Sequence, residues 1–206
     1  MICTLCNSKL TIRLGQKYFA CQTCDAKLMD SKFWSSKKEE KKHYESHNND
    51  IDDPRYQKFT SPISNYVLKN FTTDSLGLDF GSGTGPVISK VLQDLGYRIC
   101  QYDPFFAVDP AALQNQYDYI VSCEVIEHFY KPQKEFETFK KLLKPYGKLI
   151  CMTLLYKEGV DFENWYYKND PTHVFFYSEK TVEFIKNKFK FESYEIYSDR
   201  MVVWET

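Results

Sequence analysis

From Leu76 onward, apolar segments of strand length alternate with amphipathic segments of helix length. The strand-like segments cover residues 76–80, 98–102, 117–123 and 148–153. The helix-like segments cover residues 86–95, 133–143 and 178–188. In the tail, residues 191–198 and 201–204 have a pattern typical of a β-hairpin. This alternation predicts an α/β fold with a doubly wound, mostly parallel sheet that ends in a C-terminal antiparallel hairpin.

The first 70 residues are more polar and divide into two segments. Residues 1–30 hold short β-like runs between paired cysteines, whereas residues 31–50 interleave Lys and Glu in a pattern that favours a solvated helix. After a break that ends at Pro54, apolar positions recur at helical spacing from Ile63 to Phe71. We therefore predict a small N-terminal ribbon over 1–30, a helical linker or lid over 31–70, and the main domain over 71–206.

Composition narrows the function classes only a little. The chain has 206 residues, 43% of them hydrophobic, and a net charge of −1. That is room for one α/β domain and a small appendage, with no global attraction to nucleic acid or to an acidic membrane. Because no apolar run approaches ~18 residues and the N-terminus does not resemble a secretory leader, we expect no membrane partner.

Four of the seven cysteines form two CxxC pairs, Cys3 with Cys6 and Cys21 with Cys24, with fourteen residues between the pairs. Two such pairs supply a tetrahedral thiolate set, and four thiolates leave no open position, so a structural zinc ion in a zinc ribbon is expected. A redox dithiol is the alternative, which two symmetric pairs make less favoured. The other three cysteines lie in apolar segments, which fits a reducing, cytoplasmic location.

A glycine-rich turn lies between the first strand and the first helix of the main domain, in the run Asp79-Phe80-Gly81-Ser82-Gly83-Thr84-Gly85. A P-loop would need Lys after its last glycine, and a dinucleotide fingerprint would need glycine where Pro86 stands. An acid beside this turn would repel a diphosphate but attract a ligand that carries an ammonium and a sulfonium. Asp103 ends the next strand, where a carboxylate can accept both ribose hydroxyls, although a turn aspartate before Pro104 is the alternative.

These motifs resemble those of the class I methyltransferases that use S-adenosylmethionine, over roughly residues 60–206. Leu78–Gly85 resembles that family's first motif and Tyr102-Asp103 its ribose-binding acid. Tyr117–Phe129 resembles the strand-four signature of the small-molecule branch, and Leu142–Leu149 the turn before strand five, with Tyr146 where glycine is usual. The resemblance implies a Rossmann-like fold, S-adenosylmethionine as the cofactor and S-adenosylhomocysteine as the product.

The resemblance also implies a set of cofactor contacts. We predict them at Asp79, Gly81, Ser82, Gly83, Gly85, Asp103, Pro104, Phe105, Glu124 and Val125. One departure is that only fourteen residues separate Asp103 from Asp118, where the family fits a further helix and strand. We therefore expect a shortened third-strand region in which Phe105 or Phe106 covers the adenine.

Two histidines are candidates for the acceptor end of the site. His128 follows the third strand, and His173 lies in the run Asp170-Pro171-Thr172-His173. Either can serve as a base near neutral pH, and the alternative is that each only ties two loops together. His47 and Tyr56 precede the main domain and are predicted to form a lid over the acceptor, with a plain polar linker as the alternative. Glu127 is expected to be structural.

Three functions stay open at this point. The first is methyl transfer to oxygen, carbon or nitrogen of a small molecule, which is the partner we favour. The second is an RNA methyltransferase that holds RNA with the ribbon, through Lys9, Arg13, Lys17 and Lys27. The third is a non-catalytic binding or sensor protein. The intact glycine turn and Asp103 favour an enzyme over a sensor. These motifs do not encode the oligomeric state or the identity of the acceptor.

Overall fold

The computed structural model describes residues 1–47 and 49–206; Asn48, inside the predicted lid, lies outside the described residues. In chain order the strands and α-helices are β1 (Ile12–Leu14), β2 (Tyr18–Ala20), β3 (Lys27–Met29), α1 (Lys37–Glu45), α2 (Pro54–Asn70), β4 (Leu76–Phe80), α3 (Val87–Asp94), β5 (Arg98–Tyr102), β6 (Tyr117–Cys123), α4 (Pro132–Leu142), β7 (Leu143–Met152), β8 (Phe175–Phe176), α5 (Glu179–Phe189), β9 (Ser193–Tyr197) and β10 (Met201–Glu205). Short 3-10 helices cover Ser31–Phe33, Pro110–Leu113, Ile126–His128 and Tyr166–Asn169.

The central sheet has six strands in the order β5-β4-β6-β7-β10-β9. The first four run parallel to one another, whereas β10 is antiparallel to both β7 and β9. The prediction of an α/β fold with a mostly parallel sheet is therefore confirmed. The chain moves outward from β4 to β5 and then returns to β6 on the other side. This reversal opens a crevice at the carboxyl ends of the strands, where ligands bind in such sheets.

Both faces of this sheet are covered, and neighbouring strand residues alternate between them. On one face Ile120, Leu149 and Trp204 pack in one core with Phe136 of α4 and Ile185 of α5. On the other face Tyr119, Val121, Ile150, Met152 and Val203 join a second core with the apolar sides of α2 and α3. Since side chains along a strand alternate with a period of two, this division explains why the strands are apolar along their whole length.

The segment between β5 and β6 is short and largely irregular. Asp103 and Ala107 form an isolated bridge, Asp109 caps the 3-10 helix Pro110–Leu113, and the Tyr117 hydroxyl donates to the carbonyl of Ala112 at 2.7 Å. In the described part of the chain this segment contributes no strand to the central sheet, and β5 is its edge. Fourteen residues suffice to return the chain to β6 but leave no length for a further helix and strand.

The N-terminal ribbon is a four-stranded antiparallel sheet in the order β1-β2-β3-β8. Its last strand comes from the main domain: Leu28 pairs with Phe175, Lys27 pairs with Phe176, and the amide of Met29 donates to the carbonyl of Val174 at 2.8 Å. The ribbon was expected from the sequence to be a small appendage. Because β8 pairs with β3, strands β1 to β3 of the ribbon form one sheet with Phe175 and Phe176, which follow His173 closely in the chain.

Two helices cover the predicted linker. Helix α1 begins at a capping box formed by Ser36 and Glu39, and α2 begins at Asp53 with Pro54 in its first turn. The long helix expected over residues 31–50 is thus confined to Lys37–Glu45, because the Ser36 cap fixes its start. Helix α2 packs Ile63 and Val67 into the second core. Within residues 1–47 and 49–206, no helix has the length and apolarity to cross a membrane.

Candidate functional site

A cavity of about 820 Å³ opens at the carboxyl ends of β4, β5 and β6. Helices α1 and α2 contribute to its wall, as do His47 and Asn49. Its wall includes most of the predicted site residues: Gly81, Ser82, Gly83, Asp103, Pro104, Phe105, Glu124, Val125, His128, His173, His47 and Tyr56. Three separate parts of the chain, which carry the glycine turn, His128 and His173, therefore meet in one cavity of the size that ordinary ligands occupy.

The glycine turn has a backbone that other residues adopt only under strain. Gly81 and Gly83 have φ values of 83° and 64°, and the amide of Gly81 donates to the carbonyl of Tyr102 at 2.7 Å. A Cβ on Gly81 would lie 2.5 Å from a methyl carbon of Val125, so this glycine lets β4 and β6 approach closely. Ser82 is buried in the cavity wall, and its hydroxyl has no hydrogen-bond partner among the described residues. The turn thus offers an unpaired polar group to a ligand.

Asp103 is held at the end of β5 by three backbone amides. Its Oδ2 accepts from Gly83 at 3.0 Å, and its Oδ1 accepts from Phe105 at 2.8 Å and from Phe106 at 3.0 Å. A carboxylate has about four acceptor positions, so about one is left for a hydroxyl group in the cavity. Asp103 therefore orders its own turn, and it also lines the cavity, whereas its contact with a ribose stays a prediction.

Asp79 and Gly85 lie beneath the cavity and not in its wall. The Asp79 carboxylate accepts from the Ser89 hydroxyl at 2.7 Å, and burial raises its pKa to about 6. A Cβ on Gly85 would lie 1.9 Å from the carbonyl oxygen of Asn49, so this glycine is the point where the lid segment rests on the turn. Direct contact of Asp79 with the cofactor stays a prediction.

Beside the turn, two glutamates share the hydroxyl of Tyr167. Tyr167 donates to Oε1 of the fully buried Glu127 and lies 3.0 Å from Oε2 of Glu124, whose Oε1 is 3.4 Å from Arg200. Burial, together with the nearby Glu124, raises the pKa of Glu127 well above its usual range. The second oxygen of Glu127, Oε2, is buried and has no hydrogen-bond partner in residues 1–47 and 49–206.

His128 and His173 lie next to each other, with ring centroids 4.8 Å apart. In each ring Nδ1 faces a backbone carbonyl: Thr172 at 3.0 Å for His128 and Tyr167 at 2.7 Å for His173. Since a carbonyl only accepts, Nδ1 carries the proton and Nε2 keeps a free lone pair in the neutral ring. Burial lowers the pKa of both histidines, that of His128 to about 3, so both are neutral at pH 7.

The lid side of the cavity is aromatic and contains a third histidine, His47. Tyr44 stacks edge-on against His128, with centroids 5.3 Å apart, and lies 6.0 Å from Phe105. His43 is 3.0 Å from Oδ2 of Asp170, and its ring is 4.8 Å from that of His47. Despite partial burial, hydrogen bonds from Thr172 and His43 hold the pKa of Asp170 well below its usual value. The hydroxyl of Tyr56 is 3.4 Å from the carbonyl of Gly85.

The four paired cysteines form a compact cluster. Their sulfur atoms all lie within 4.8 Å of one another, with Cys3 and Cys24 3.6 Å apart and Cys6 and Cys21 3.4 Å apart. Zn–S bonds of ~2.3 Å in a tetrahedron require sulfurs about 3.8 Å apart, which is close to these distances. Asn7 and Asp25, which follow the two pairs, both adopt a positive φ near 60° and donate their amides back to Cys3 and Cys21. The chemistry and geometry of this cluster fit zinc.

Several cavity residues were not singled out from the sequence. They are Lys37, Glu40, Tyr44, Phe59, Lys131, Lys134, Glu135 and Asp170. The sequence does carry a signal for Asp170, because Asp-Pro-Thr before a histidine is a turn in which the carboxylate accepts from the residue two positions on. The α1 residues have no such signal, since the Lys and Glu run around Tyr44 is that of an ordinary solvated helix.

A family model described as a methyltransferase domain matches residues 53–195. The chain belongs to this methyltransferase-domain family. The match covers the cavity from α2 to His173 and beyond, so the glycine turn, Asp103 and both histidines lie inside the family's own region. The ribbon and α1 lie outside it. No curated protein matches the chain by sequence.

Solved structures with this fold are similar at low sequence identity. Human N-acetylserotonin methyltransferase in complex with S-adenosylmethionine has 12% identity and a TM-score of 0.56, over 83% of this chain and 56% of that one. Phosphoethanolamine N-methyltransferase 2 of Haemonchus contortus, also with S-adenosylmethionine, has 20% identity and a TM-score of 0.53, over 65% and 37%. An O-methyltransferase family protein of Burkholderia thailandensis has 13% identity and a TM-score of 0.51, over 75% and 60%. The chain thus spans 37–60% of these structures, and the likeness concerns the fold.

Proposed function

We propose that the chain transfers a methyl group from S-adenosylmethionine to a small-molecule acceptor that lies beside His128 and His173. One observation carries this proposal: the glycine turn with Asp103 and the histidine pair line the same cavity. Membership of the methyltransferase-domain family supports it, as do neighbours of the same fold that bind S-adenosylmethionine. When bound, this cofactor supplies an electrophilic methyl group on a sulfonium.

The residues near the turn are suited to hold the nucleoside. The free acceptor position of Asp103 can take a ribose hydroxyl, and the unpaired hydroxyl of Ser82 lies in the same wall. Phe105 and Phe106 follow Asp103 closely, and both line the cavity. With the ribose at Asp103, they are placed to pack against the adenine. In this arrangement the ribose lies at Asp103, after β5, and the adenine lies beside Phe105 and Phe106.

At the acceptor end the protein orients a nucleophile and excludes water, which is the main protein contribution to an in-line transfer. Tyr44, Tyr56 and Phe59 cover the cavity and reduce its contact with solvent. Each Nε2 lone pair is free to hold a hydroxyl or amine acceptor, either by a direct hydrogen bond or through a bound cation. As the bond from sulfur to the methyl carbon breaks and the acceptor–methyl bond forms, the acceptor's proton passes to one of these groups or to solvent.

Enclosure favours a small acceptor over RNA. The cavity is covered by α1 and α2, and two of the four basic ribbon residues proposed to contact phosphate are already engaged. Arg13 pairs with Asp30 at 3.1 Å, and the buried Lys27 pairs with Asp25 at 3.1 Å. RNA held by the ribbon is the second candidate, and a non-catalytic sensor is the third.

The ribbon is proposed to bind one structural zinc ion through Cys3, Cys6, Cys21 and Cys24. The reason is that the thiolate set is closed and each cysteine pair has the same hydrogen-bonded turn. Its role is to stabilise the sheet to which β8 belongs. Metal analysis of the purified protein should find one zinc ion per chain, and a chain without zinc would contradict this part of the proposal.

Calorimetric titration with S-adenosylmethionine and S-adenosylhomocysteine tests the cofactor site. Asp103→Asn can keep its oxygen toward the amides of Phe105 and Phe106 but turns an NH₂ group toward Gly83 and the ribose. We expect cofactor affinity to fall by ~1–3 kcal/mol, or about 5- to 150-fold. Asp109→Asn is the matched control, because Asp109 is exposed and only caps a 3-10 helix. Equal affinity of both variants would contradict the assignment of the ribose to Asp103.

The acceptor class is tested by release of labelled methyl groups into separate metabolite and RNA pools. Transfer into the metabolite pool supports the small-molecule proposal. Transfer into RNA, with affinity that falls steeply as salt rises, supports the second candidate. Tight cofactor binding with no transfer into either pool supports the sensor.

A further inference from the structure

Three potential metal ligands converge at the acceptor end of the cavity. One ligand atom from each of Glu127, His128 and His173 lies within 4.8 Å of the other two, and Nε2 of His173 is 4.0 Å from Oε1 of Glu127. The two histidines line the cavity, whereas Glu127 is fully buried behind them. A set of two imidazoles and one carboxylate on one side of a cavity leaves coordination positions open on the other side.

The orientation of each histidine is fixed by a contact that leaves its ligand atom free. Backbone carbonyls take Nδ1 of both histidines, so each Nε2 keeps its lone pair. Metal-binding histidines are commonly oriented in this way, because the hydrogen bond fixes the tautomer and the ring. Tyr167 supports two of the three groups: its carbonyl holds His173, and its hydroxyl holds Glu127.

Glu127 supplies an independent sign that a ligand belongs here. Its carboxylate is completely buried, yet among the residues that the structure describes Oε2 accepts no hydrogen bond. An unpaired buried oxygen of this kind costs free energy unless a donor or a cation meets it. The hydroxyl of Tyr167 satisfies only the other oxygen.

A neighbouring group is a poorer candidate. His43, His47 and Asp170 also bring ligand atoms within 4.8 Å of one another. There, however, Nε2 of His43 faces Oδ2 of Asp170 at 3.0 Å, and Oδ1 accepts from the amide and hydroxyl of Thr172. These ligand atoms already satisfy one another, whereas in the first group neither Nε2 atom has a hydrogen-bond partner among the described residues.

We propose that Glu127, His128 and His173 bind one divalent transition-metal cation, such as Mn²⁺, whose open positions face the acceptor in the cavity. Metal–nitrogen and metal–oxygen bonds of ~2.1 Å place such ligands about 3–3.5 Å apart. Binding therefore draws the three side chains together by about 1 Å. The binding site follows from these contacts alone, and only its role in holding an acceptor oxygen rests on the proposed function.

Mn²⁺ is the probe because it separates this site from the cysteine cluster. Thiolate sites prefer zinc, whereas imidazole and carboxylate ligands accept Mn²⁺. The full-length protein, with its zinc retained and without S-adenosylmethionine, is titrated with MnCl₂ while free Mn²⁺ is followed by electron paramagnetic resonance. We expect one Mn²⁺ per chain and spin-echo modulation from imidazole nitrogen. Because no cofactor is present, failure here is separate from failure of cofactor binding or methyl transfer.

The variants keep the structural hydrogen bonds and remove only the ligand atoms. In His128→Asn and His173→Asn, the side-chain NH₂ can replace Nδ1–H toward the carbonyls of Thr172 and Tyr167, but no atom replaces Nε2. Glu127→Gln keeps an oxygen for Tyr167 and loses the negative charge. Each should weaken Mn²⁺ binding at least tenfold while the melting temperature without Mn²⁺ changes little. Glu137→Gln, on the exposed side of α4, and His43→Asn are the controls and should bind as the wild type does.

Three results would overturn the proposal. One is no Mn²⁺ binding at millimolar concentration, and another is binding that all three variants leave unchanged, which would indicate surface carboxylates. The third is loss of binding in His43→Asn alone, which would place the cation at the neighbouring group. If a variant unfolds, the spin-echo signal of the wild-type protein still decides whether imidazole nitrogen is a ligand.

Discussion

The pairing of β3 with β8 predicts that the cysteine cluster controls the position of His173. His173 lies two residues before β8, and Val174 between them accepts a hydrogen bond from Met29 of β3. A second connection joins the same regions, because the carboxylate of Asp25 accepts from the Ser178 hydroxyl at 2.6 Å and Ser178 caps α5. Loss of the ribbon fold therefore removes the strand partner of residues 174–176 and one of the contacts at the start of α5.

The perturbation is Cys6→Ser, which removes one of the four thiolates at a partly exposed position. Structural zinc contributes ~10–16 kcal/mol to the folding of small zinc modules, so an equal share per thiolate is about 3 kcal/mol. The whole domain is stabilised by only ~5–15 kcal/mol. We expect the ribbon to open locally while the six-stranded sheet stays folded, because its strands pair with one another and are covered by α2 to α5. A loss of about 3 kcal/mol in local stability corresponds to about 100-fold faster amide exchange.

Hydrogen exchange read by mass spectrometry measures this directly. Peptides that cover residues 1–30 and 170–178 should exchange about 100-fold faster in Cys6→Ser, whereas the hairpin of β9 and β10 should be unchanged. Cys100→Ser is the control, since Cys100 lies on the edge strand β5, away from the ribbon. If exchange rises in residues 1–30 but not in 170–178, the ribbon is an independent appendage and the reasoning from β8 is wrong.

Two further outcomes follow from the glycine turn and its acid. Burial, with Asp103 as a nearby like charge, raises the pKa of Asp79 from 3.8 to about 6, so ionising it costs stability as pH rises through this range. The free-energy penalty of ionising Asp79 is about 3 kcal/mol at pH 7 and about half that at pH 5. In urea unfolding of the cofactor-free protein, the stability of Asp79→Asn relative to the wild type should therefore rise by about 1 kcal/mol from pH 5 to pH 7. A stability difference that does not change with pH would refute this prediction. Gly85→Ala should push away Asn49, whose carbonyl oxygen would be 1.9 Å from the new carbon, and so increase proteolysis near the lid. Gly83→Ala, at a φ of 64° and with the side-chain nitrogen of Asn49 4.0 Å from the new carbon, should leave the lid protected and weaken cofactor binding by intruding into the cavity, and equal proteolysis of the two variants would contradict this difference.

The parts of the fold that local patterns specify were predictable. Alternating apolar segments fix β4 to β7 and the helices between them, because the inner strands are buried on both faces and each helix on one. The short segment after Asp103 was also visible in the sequence, since fourteen residues cannot hold a helix and a strand. The turn residues of the cysteine pairs follow the same logic, because Asn7 and Asp25 tolerate the positive φ that each turn requires.

What the sequence could not indicate depends on contacts between distant segments. The two residues of β8 are too short to be recognised as a strand, and their partner in β3 is almost 150 residues away. The cluster around Tyr167 is hidden for the same reason: its hydroxyl and carbonyl join residues of two loops that no local pattern connects. Glu127 was expected to be structural. Its contact with Tyr167 fits that expectation, and its unpaired oxygen adds a second property that only burial reveals.

The histidine pair shows why the structural and the chemical interpretations of such residues need not compete. Nδ1 of each ring ties two loops together through a carbonyl, which is the structural role considered for both. That same bond fixes the tautomer and leaves Nε2 unprotonated, which is the condition for a metal ligand or a hydrogen-bond acceptor. Substitution by alanine would remove both nitrogens and could not separate the two roles, whereas asparagine removes only Nε2. The structural role of each histidine therefore prepares its chemical role.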